Sequence, residues 1–295
     1  MAFNYSDTKF TLMFSLTNWC PLKCAHCCEN SGPDQPKNYI SPEIPEYYMT
    51  QFIADKQFNK AALFSGGEPI GHPDLFRMVQ KAQDYGIRFA IKTSGMFMQN
   101  QKFADEFFNR LRVLKIDKST AGSGVRKNNI HISVDKYHKN CTPNAVALSK
   151  RIYKDPKLRE NIAIGLIFDA ADSIWQDKFK TACSNEGMWL STNEDYDWDS
   201  ATLDGHPIGV FKGEVLKCGR AAENNMGTEL PPDHTLDFYN EGTVTVRFKN
   251  NGMACLETCG PSIEVPYTED KQPKPWSQLK HEFSEQIMNA RTRQM

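Results

Sequence analysis

The chain has no long hydrophobic run and no apolar stretch at its N-terminus. No segment approaches the roughly 18 apolar residues that a membrane-spanning helix needs. The first ten residues, MAFNYSDTKF, are polar where a signal peptide would carry an apolar core. Neither charge sign dominates, because 35 Lys and Arg balance 36 Asp and Glu to a formal net charge of −1. We therefore predict a cytoplasmic protein with neither a membrane nor a nucleic acid as its partner.

Cysteine is plentiful, but the chain lacks the pattern of a disulfide framework. Its nine cysteines are an odd number, and four lie within nine positions, at Cys20, Cys24, Cys27 and Cys28 in NWCPLKCAHCCEN. In a reducing compartment, clustered cysteines are more often metal ligands or catalytic groups than disulfides. The cluster also lacks the second matched pair of a structural zinc site. A zinc site completed by His26 or Cys28 remains an alternative.

Strand and helix patterns alternate through roughly the first 190 residues. Short apolar runs predict the strands, and amphipathic stretches of helical length separate them. Six such units in series favour a parallel sheet or barrel. The predicted strands cover residues 10–16, 60–67, 87–95, 129–135, 161–169 and, more weakly, 188–192.

Unusual residues follow the first four predicted strands directly. The cysteines follow the first, SGGEP (65–69) the second, TSG (93–95) the third and SVD (133–135) the fourth. Because parallel strands present their carboxyl ends at one edge, these four loops should converge on one cleft.

The residue types in this cleft suggest a chemistry. Three thiolates can hold three irons of a cubane iron–sulfur cluster, which normally takes four cysteines. An iron without a protein ligand could bind a substrate or cofactor, as an open zinc position does. Gly66 and Gly67 would let backbone groups approach that ligand, and Glu68 could hold its ammonium group.

With these motifs in order, the chain resembles the radical S-adenosylmethionine (SAM) enzymes. The resemblance rests on Cys20-x3-Cys24-x2-Cys27 after the first strand and on residues 66–69 after the second, and it covers about residues 10–195. It implies an α/β fold, a partial (β/α)6 barrel of the TIM type.

The resemblance also implies cofactors and their ligands. The three cysteines would hold a [4Fe–4S] cluster, whose electron cleaves SAM to a 5′-deoxyadenosyl radical that abstracts a substrate hydrogen. SAM would contact His26 at its adenine, Gly66, Gly67, Glu68 and Pro69 at its amino end, and Ser94, Ser133 and Asp135 at its ribose or carboxylate.

The character of the sequence changes after about residue 195. We predict a core at 1–195 and a small α+β C-terminal extension at 196–295, with an antiparallel hairpin near Asn250-Asn251-Gly252 and a closing helix. The extension resembles the twitch or SPASM extension of some radical SAM enzymes. Its cysteines, Cys218, Cys255 and Cys259, could hold an auxiliary cluster, or they could belong to a cap without metal.

The substrate is the least determined part. Family members with such extensions often crosslink ribosomally made peptides, and others oxidise or rearrange small metabolites such as aminosugars or nucleotides. The first strand begins by about residue 10, so we expect no N-terminal recognition domain of the chain's own; a separate peptide-recognition protein could supply one. A flavodoxin or ferredoxin would donate the electron. A non-enzymatic iron–sulfur redox sensor is the alternative from another class.

Overall fold

The computed structural model describes residues 9–114, 128–138, 140–169, 174–191, 201–213, 217–228, 243–256, 262–264 and 273–292. Residues 115–127 lie outside the described residues, and so does Cys259. Among the described residues, none forms a helix long and apolar enough to cross a bilayer.

A nine-stranded sheet forms the centre of the molecule. Its order is β12-β11-β10-β1-β2-β3-β4-β5-β9, and the seven strands from β10 to β9 are parallel. The strands are β1 Lys9–Ser15, β2 Phe58–Ser65, β3 Arg88–Thr93, β4 Asn128–Ser133, β5 Ile162–Asp169, β9 Gly209–Gly213, β10 Thr243–Lys249, β11 Met253–Leu256 and β12 Ser262–Glu264. This mostly parallel sheet confirms the α/β class.

Helices follow the strands and cover one face of the sheet. They are α1 Glu43–Ile53, α2 Leu75–Asp84, α3 Gln101–Val113, α4 Cys141–Lys154, α5 Pro156–Asn161, α6 Ile174–Asn185, α7 Gly219–Glu223 and α8 Trp276–Thr292. Local signals set their starts. Asn100 accepts a hydrogen bond from the Phe103 amide before α3, and Asp155 caps α5 ahead of Pro156. The closing helix α8 packs its Trp276 against Phe10 and Phe52.

The two faces of the parallel strands differ in polarity. The helix-facing side is apolar; there Phe14 of β1 stacks on Phe64 of β2 and on Phe248 of β10, with centroid distances of 5.9 and 5.6 Å. Burying each such ring contributes about 1.5–3 kcal/mol. The opposite side carries Ser15, Lys92 and other polar residues. The apolar side of the sheet packs on the helices, and the polar side faces a cavity.

The sixth strand of the parallel series is not the predicted one. Residues 190–191 form β6 of a separate antiparallel sheet with β7 (Thr202–Leu203) and β8 (His206–Pro207). The position next to β5 belongs to β9, whose backbone pairs with it from Gly165↔Gly209 to Asp169↔Gly213. Strands from beyond residue 195 therefore extend both ends of the core sheet, and the division at 195 stays a prediction. The hairpin predicted around 250–252 is present as β10 and β11.

Candidate active site

The two sequence motifs meet through their backbones. Gly67 donates its amide hydrogen to the carbonyl of Thr17 at 2.6 Å, and Glu68 donates to Trp19 at 2.9 Å. Gly66 has a φ of +112°, where L side chains are strained. A Cβ on Gly67 would lie 2.1 Å from the Trp19 carbonyl oxygen. The glycines are needed because the chain's own segment before Cys20 passes so close, a reason that the sequence did not reveal.

Replacing Gly67 with alanine is expected to displace the segment before Cys20. Overpacking of this kind lowers the free energy of unfolding by about 1–3 kcal/mol. The variant should therefore unfold at a lower denaturant concentration and retain less iron after anaerobic reconstitution. The matched control is Gly71→Ala, whose Cβ would meet the Trp19 ring at an ordinary 3.5 Å. If Gly67→Ala is as stable and as iron-loaded as Gly71→Ala, the close approach does not matter.

The three cysteines fit a cluster better than a single ion. Sulfur ligands of one zinc ion lie about 2.3 Å from it. The ligand atoms of such a site therefore also lie close to one another. Within the described chain, the single group of three His, Cys, Asp or Glu with all ligand atoms within 4.8 Å is His26, Asp135 and His138. The sulfurs of Cys20, Cys24 and Cys27 do not all lie within 4.8 Å of one another, so they are not gathered around a point that one ion could occupy.

Burial makes the thiolate forms of this loop dependent on a cation. Desolvation, the largest cause, raises the pKa of Cys20 to about 12 and that of Cys24 to about 12. Ser31 donates its amide hydrogen to the Cys27 sulfur at 3.3 Å. Without a positive metal group the buried thiols would stay protonated, so the donor set suits iron, which binds thiolates.

Glu68 is held by the next loop of the sheet. Its carboxylate accepts hydrogen bonds from the Thr93 hydroxyl at 2.7 Å, from the Ser94 hydroxyl at 2.5 Å and from the Ser94 amide at 3.1 Å. The Ile70 amide donates a fourth, weaker bond at 3.4 Å. Burial raises the pKa of this carboxyl, although the bonds from Ser94 and Thr93 oppose the rise. That the same carboxylate binds an ammonium group stays a prediction.

Asp135 organises the loop after β4. Its carboxylate accepts from the Tyr137 and His138 amides at 2.8 and 3.0 Å and pairs with the His138 ring at 2.8 Å. Burial raises the pKa of Asp135, but the bond and charge of His138 outweigh it and hold the pKa below its ordinary value.

His26 stacks on the Tyr137 ring with centroids 4.3 Å apart, and its edge meets the His138 ring. Desolvation lowers the pKa of His26 to about 4, with His138 adding to the effect, so the ring is neutral at pH 7. Its Nδ1 is buried and has no hydrogen-bond partner among the described residues. A buried polar atom left unpaired is costly, and a bound ligand in the cavity would satisfy it.

These loops enclose one cavity of about 300 Å³. Nine of the predicted site residues line it: Cys20, Cys24, His26, Cys27, Gly66, Gly67, Ser94, Ser133 and Asp135. Glu68 and Pro69 are buried behind this lining, and Pro69 opens the short 3-10 turn Pro69–Gly71. Further lining residues were not predicted from the sequence, among them Glu29, Lys92, Asp169 and Arg247.

The most unexpected of these is Arg247, 2% exposed on β10. Its guanidinium contacts the Glu29 carboxylate directly, and its Nε donates to the Ser15 hydroxyl at 2.7 Å. Burial lowers the pKa of Arg247. An arginine between Val246 and Phe248, both fully buried on the apolar face, was the available signal: it marks the strand position that faces the cavity.

The C-terminal cysteines are only partly described. Cys218, which precedes α7, is disulfide-bonded, and Cys255 is buried opposite Arg247 in the β10–β11 pair. Cys141 donates its thiol hydrogen to the Asp135 carbonyl at 2.9 Å, and Cys183 is a residue of α6 that is buried in the core. These two thiols are thus engaged in the core. An auxiliary cluster at Cys218, Cys255 and Cys259 stays a prediction, and it requires the disulfide of Cys218 to be reduced, because the thiolate is the form that binds metal.

The fold and cavity define an α/β protein with a thiol-bearing site at the carboxyl edge of a parallel sheet. Comparison with known proteins is specific: residues 14–143 match the model of the Radical SAM superfamily. This segment belongs to that superfamily. The prediction of a radical SAM domain is confirmed for this segment, and the cofactors of that superfamily are the predicted [4Fe–4S] cluster and SAM. The curated relatives that match are named as enzymes.

Individual relatives are distant. The chain is 28% identical over 106 residues to a probable GTP 3′,8-cyclase of Methanocaldococcus jannaschii, covering 35% of each chain. It is 28% identical over 95 residues to an Fe-coproporphyrin III synthase of Methanosarcina barkeri, covering 32% of this chain and 23% of that protein. The matches thus span about a third or less of these relatives. SuiB of Streptococcus suis bound to SAM is similar in structure, with a TM-score of 0.49 and 11% identity over 91% of this chain and 63% of that one.

Proposed function

We propose that this chain reductively cleaves SAM at a cluster held by Cys20, Cys24 and Cys27 and uses the resulting radical on a substrate in the cavity. One observation carries the proposal: the cysteine-bearing segment and the Gly-Gly turn are hydrogen-bonded into one wall of a single cavity. When bound, the cluster and SAM supply an electron and a 5′-deoxyadenosyl radical for hydrogen abstraction.

The chain's own residues bind, orient and exclude water. Gly66 and Gly67 hold the segment before Cys20 against β2. Ser94, fixed by Glu68, and Ser133 present their polar groups at the cavity wall. Neutral His26, stacked on Tyr137, offers a flat surface and an unpaired nitrogen to an aromatic ligand such as adenine. Ser94, Ser133 and Asp135 are buried in this wall, which limits the access of water to a reactive intermediate on that side.

A peptide is the first substrate candidate and a small metabolite the second. The peptide reading rests on the resemblance of the C-terminal segment to extensions of peptide-modifying enzymes. The metabolite reading is favoured by the relatives, whose names describe a nucleotide cyclase and a porphyrin-processing synthase. Incubation with SAM, dithionite and either GTP or a short peptide encoded beside the gene separates them. Mass spectrometry should show two hydrogens lost from a crosslinked peptide, or conversion of GTP.

Changing Glu68 to alanine tests the enzyme against the redox sensor. The variant leaves the Thr93 and Ser94 donors unpaired and loosens the loop that faces SAM. We expect 5′-deoxyadenosine formation to fall about tenfold or more, as 1.4 kcal/mol of lost binding would produce. Iron and sulfide per chain should stay unchanged, because the cysteines are untouched.

The control for this experiment is Glu106→Ala, which removes an exposed glutamate whose ion-pair partner among the described residues is Arg110. A sensor would keep its cluster and release no nucleoside even as wild type. Should Glu68→Ala release as much nucleoside as Glu106→Ala, the role given to Glu68 is wrong. The electron donor, a separate recognition protein and the cytoplasmic location stay predictions.

A further inference from the structure

The C-terminal segment holds the cysteine loop (residues 20–31) through one side chain. Arg220, in α7, is 8% exposed. Its guanidinium donates one hydrogen bond to the Cys24 carbonyl at 3.0 Å and another to the Ser31 carbonyl at 2.7 Å. Its backbone amide donates to the Cys27 carbonyl at 2.9 Å. Three donors of one residue thus fix three carbonyls of the loop that carries the cluster ligands.

The rest of α7 is fitted to the same loop. Gly219 has a φ of +54°, and a Cβ there would lie 2.5 Å from the Cys28 carbonyl oxygen. Asn224, just after the helix, donates its amide to the Ala25 carbonyl at 2.9 Å. The contact is therefore a close backbone fit rather than a single chance bond. The partners of Arg220 in this contact are backbone carbonyls of the cysteine loop.

A fixed positive charge beside this loop has electrostatic consequences. Arginine stays protonated in proteins and its planar fork suits two acceptors at once. Charge and hydrogen bonds around iron–sulfur clusters set their reduction potentials. Residues that orient metal ligands typically contribute 10- to 100-fold to metal affinity.

We propose that Arg220 is the positioning residue of the cysteine loop, and that it sets both the retention and the reduction potential of the cluster. The proposal rests on the cluster site of the proposed function. It also gives the C-terminal segment a role that needs no auxiliary cluster: α7 completes the outer support of the first one.

The test compares Arg220→Gln and Arg220→Lys after anaerobic reconstitution. Arg220→Gln removes the charge and the fork, so iron retained against a chelator should weaken by about 10- to 100-fold. Its midpoint potential, measured by redox titration of the reduced cluster's electron paramagnetic resonance signal, should become more negative. Arg220→Lys keeps the charge but not the fork. It should hold iron weakly and keep a potential close to that of wild type.

Two further variants serve as a control and as an independent test. Arg110→Gln makes the same change at an exposed site on α3 and should match wild type. Gly219→Ala leaves Arg220 intact and forces α7 away from the loop, so it should also weaken iron retention, even if Arg220→Gln fails to fold. Wild-type retention in Gly219→Ala together with an unchanged potential in Arg220→Gln would overturn the proposal.

A third variant separates this proposal from the cluster assignment. If Cys20/Cys24/Cys27→Ala loses its iron while the Arg220 variants match wild type, only the role of Arg220 fails. If the triple variant keeps all its iron, the cluster assignment itself fails.

Discussion

Replacing Cys20, Cys24 and Cys27 together by alanine is expected to abolish 5′-deoxyadenosine formation and to remove at least one cluster's iron and sulfide. The three thiols are the only described cysteines that share a loop at the cavity with spacing suited to a cubane, apart from Cys28 beside them. Alanine offers no ligand atom, so no iron can be held there. The readouts are iron and sulfide per chain and mass spectrometry of the nucleoside after addition of dithionite and SAM.

Cys183→Ala is the control, because that thiol is a buried residue of α6 and is remote in the chain from the motif. It should release nucleoside as wild type does. Iron that persists at a reduced ratio in the triple variant would report a second cluster and favour the C-terminal cysteines. A triple variant that still releases nucleoside would contradict the assignment of these three residues.

The second large effect is expected at the buried ion pair of Arg247 and Glu29. Arg247→Met leaves the Glu29 carboxylate in the cavity floor without its charged partner. Removing one member of a buried pair typically costs about 3–5 kcal/mol, because the remaining charge is uncompensated. The free energy of unfolding, measured by urea titration of the protein without its cofactors, should fall by that amount.

A double variant tests the cause. The double variant Arg247→Met/Glu29→Gln no longer carries the unpaired negative charge of Glu29. Much of the lost free energy of unfolding should therefore return. Arg110→Met, at an exposed pair with Glu106, should change stability by less than about 1 kcal/mol. An Arg247→Met variant as stable as Arg110→Met would show that the pair is solvated and not a structural element of the floor.

The parts of the fold that the sequence predicted are those with local signals. β1 to β5 lie within a few residues of their predicted bounds, and helices separate them where amphipathic stretches alternate with the apolar runs. The cysteines, Gly66, Gly67, Ser94, Ser133 and Asp135 all reach the cavity because each follows a parallel strand. Site residues that follow parallel strands can therefore be predicted from the order of strands and motifs along the sequence.

The parts that escaped prediction depend on distant pairing. β9 and β10 join opposite ends of the parallel series, and short apolar strands carry no local mark of their partners. The contacts of Arg220 also escaped prediction. Its three acceptors are backbone carbonyls, which every residue type carries, so the sequence does not identify them. Glu68 was predicted as a ligand-binding group, and its bonds to Thr93 and Ser94 needed the relative position of two loops.

The pairing of β10 with β1 has a consequence for how the protein matures. Arg247 and Ser15, which meet in the cavity floor, are 232 positions apart in the chain. At about 5–20 residues per second, a ribosome needs on the order of 10 to 50 seconds between them. During that interval β1 is an unpaired edge next to exposed thiols, a state open to aggregation and oxidation. Iron–sulfur assembly on this chain thus belongs after translation, when α7 and β10 have closed over the first loop to be synthesised.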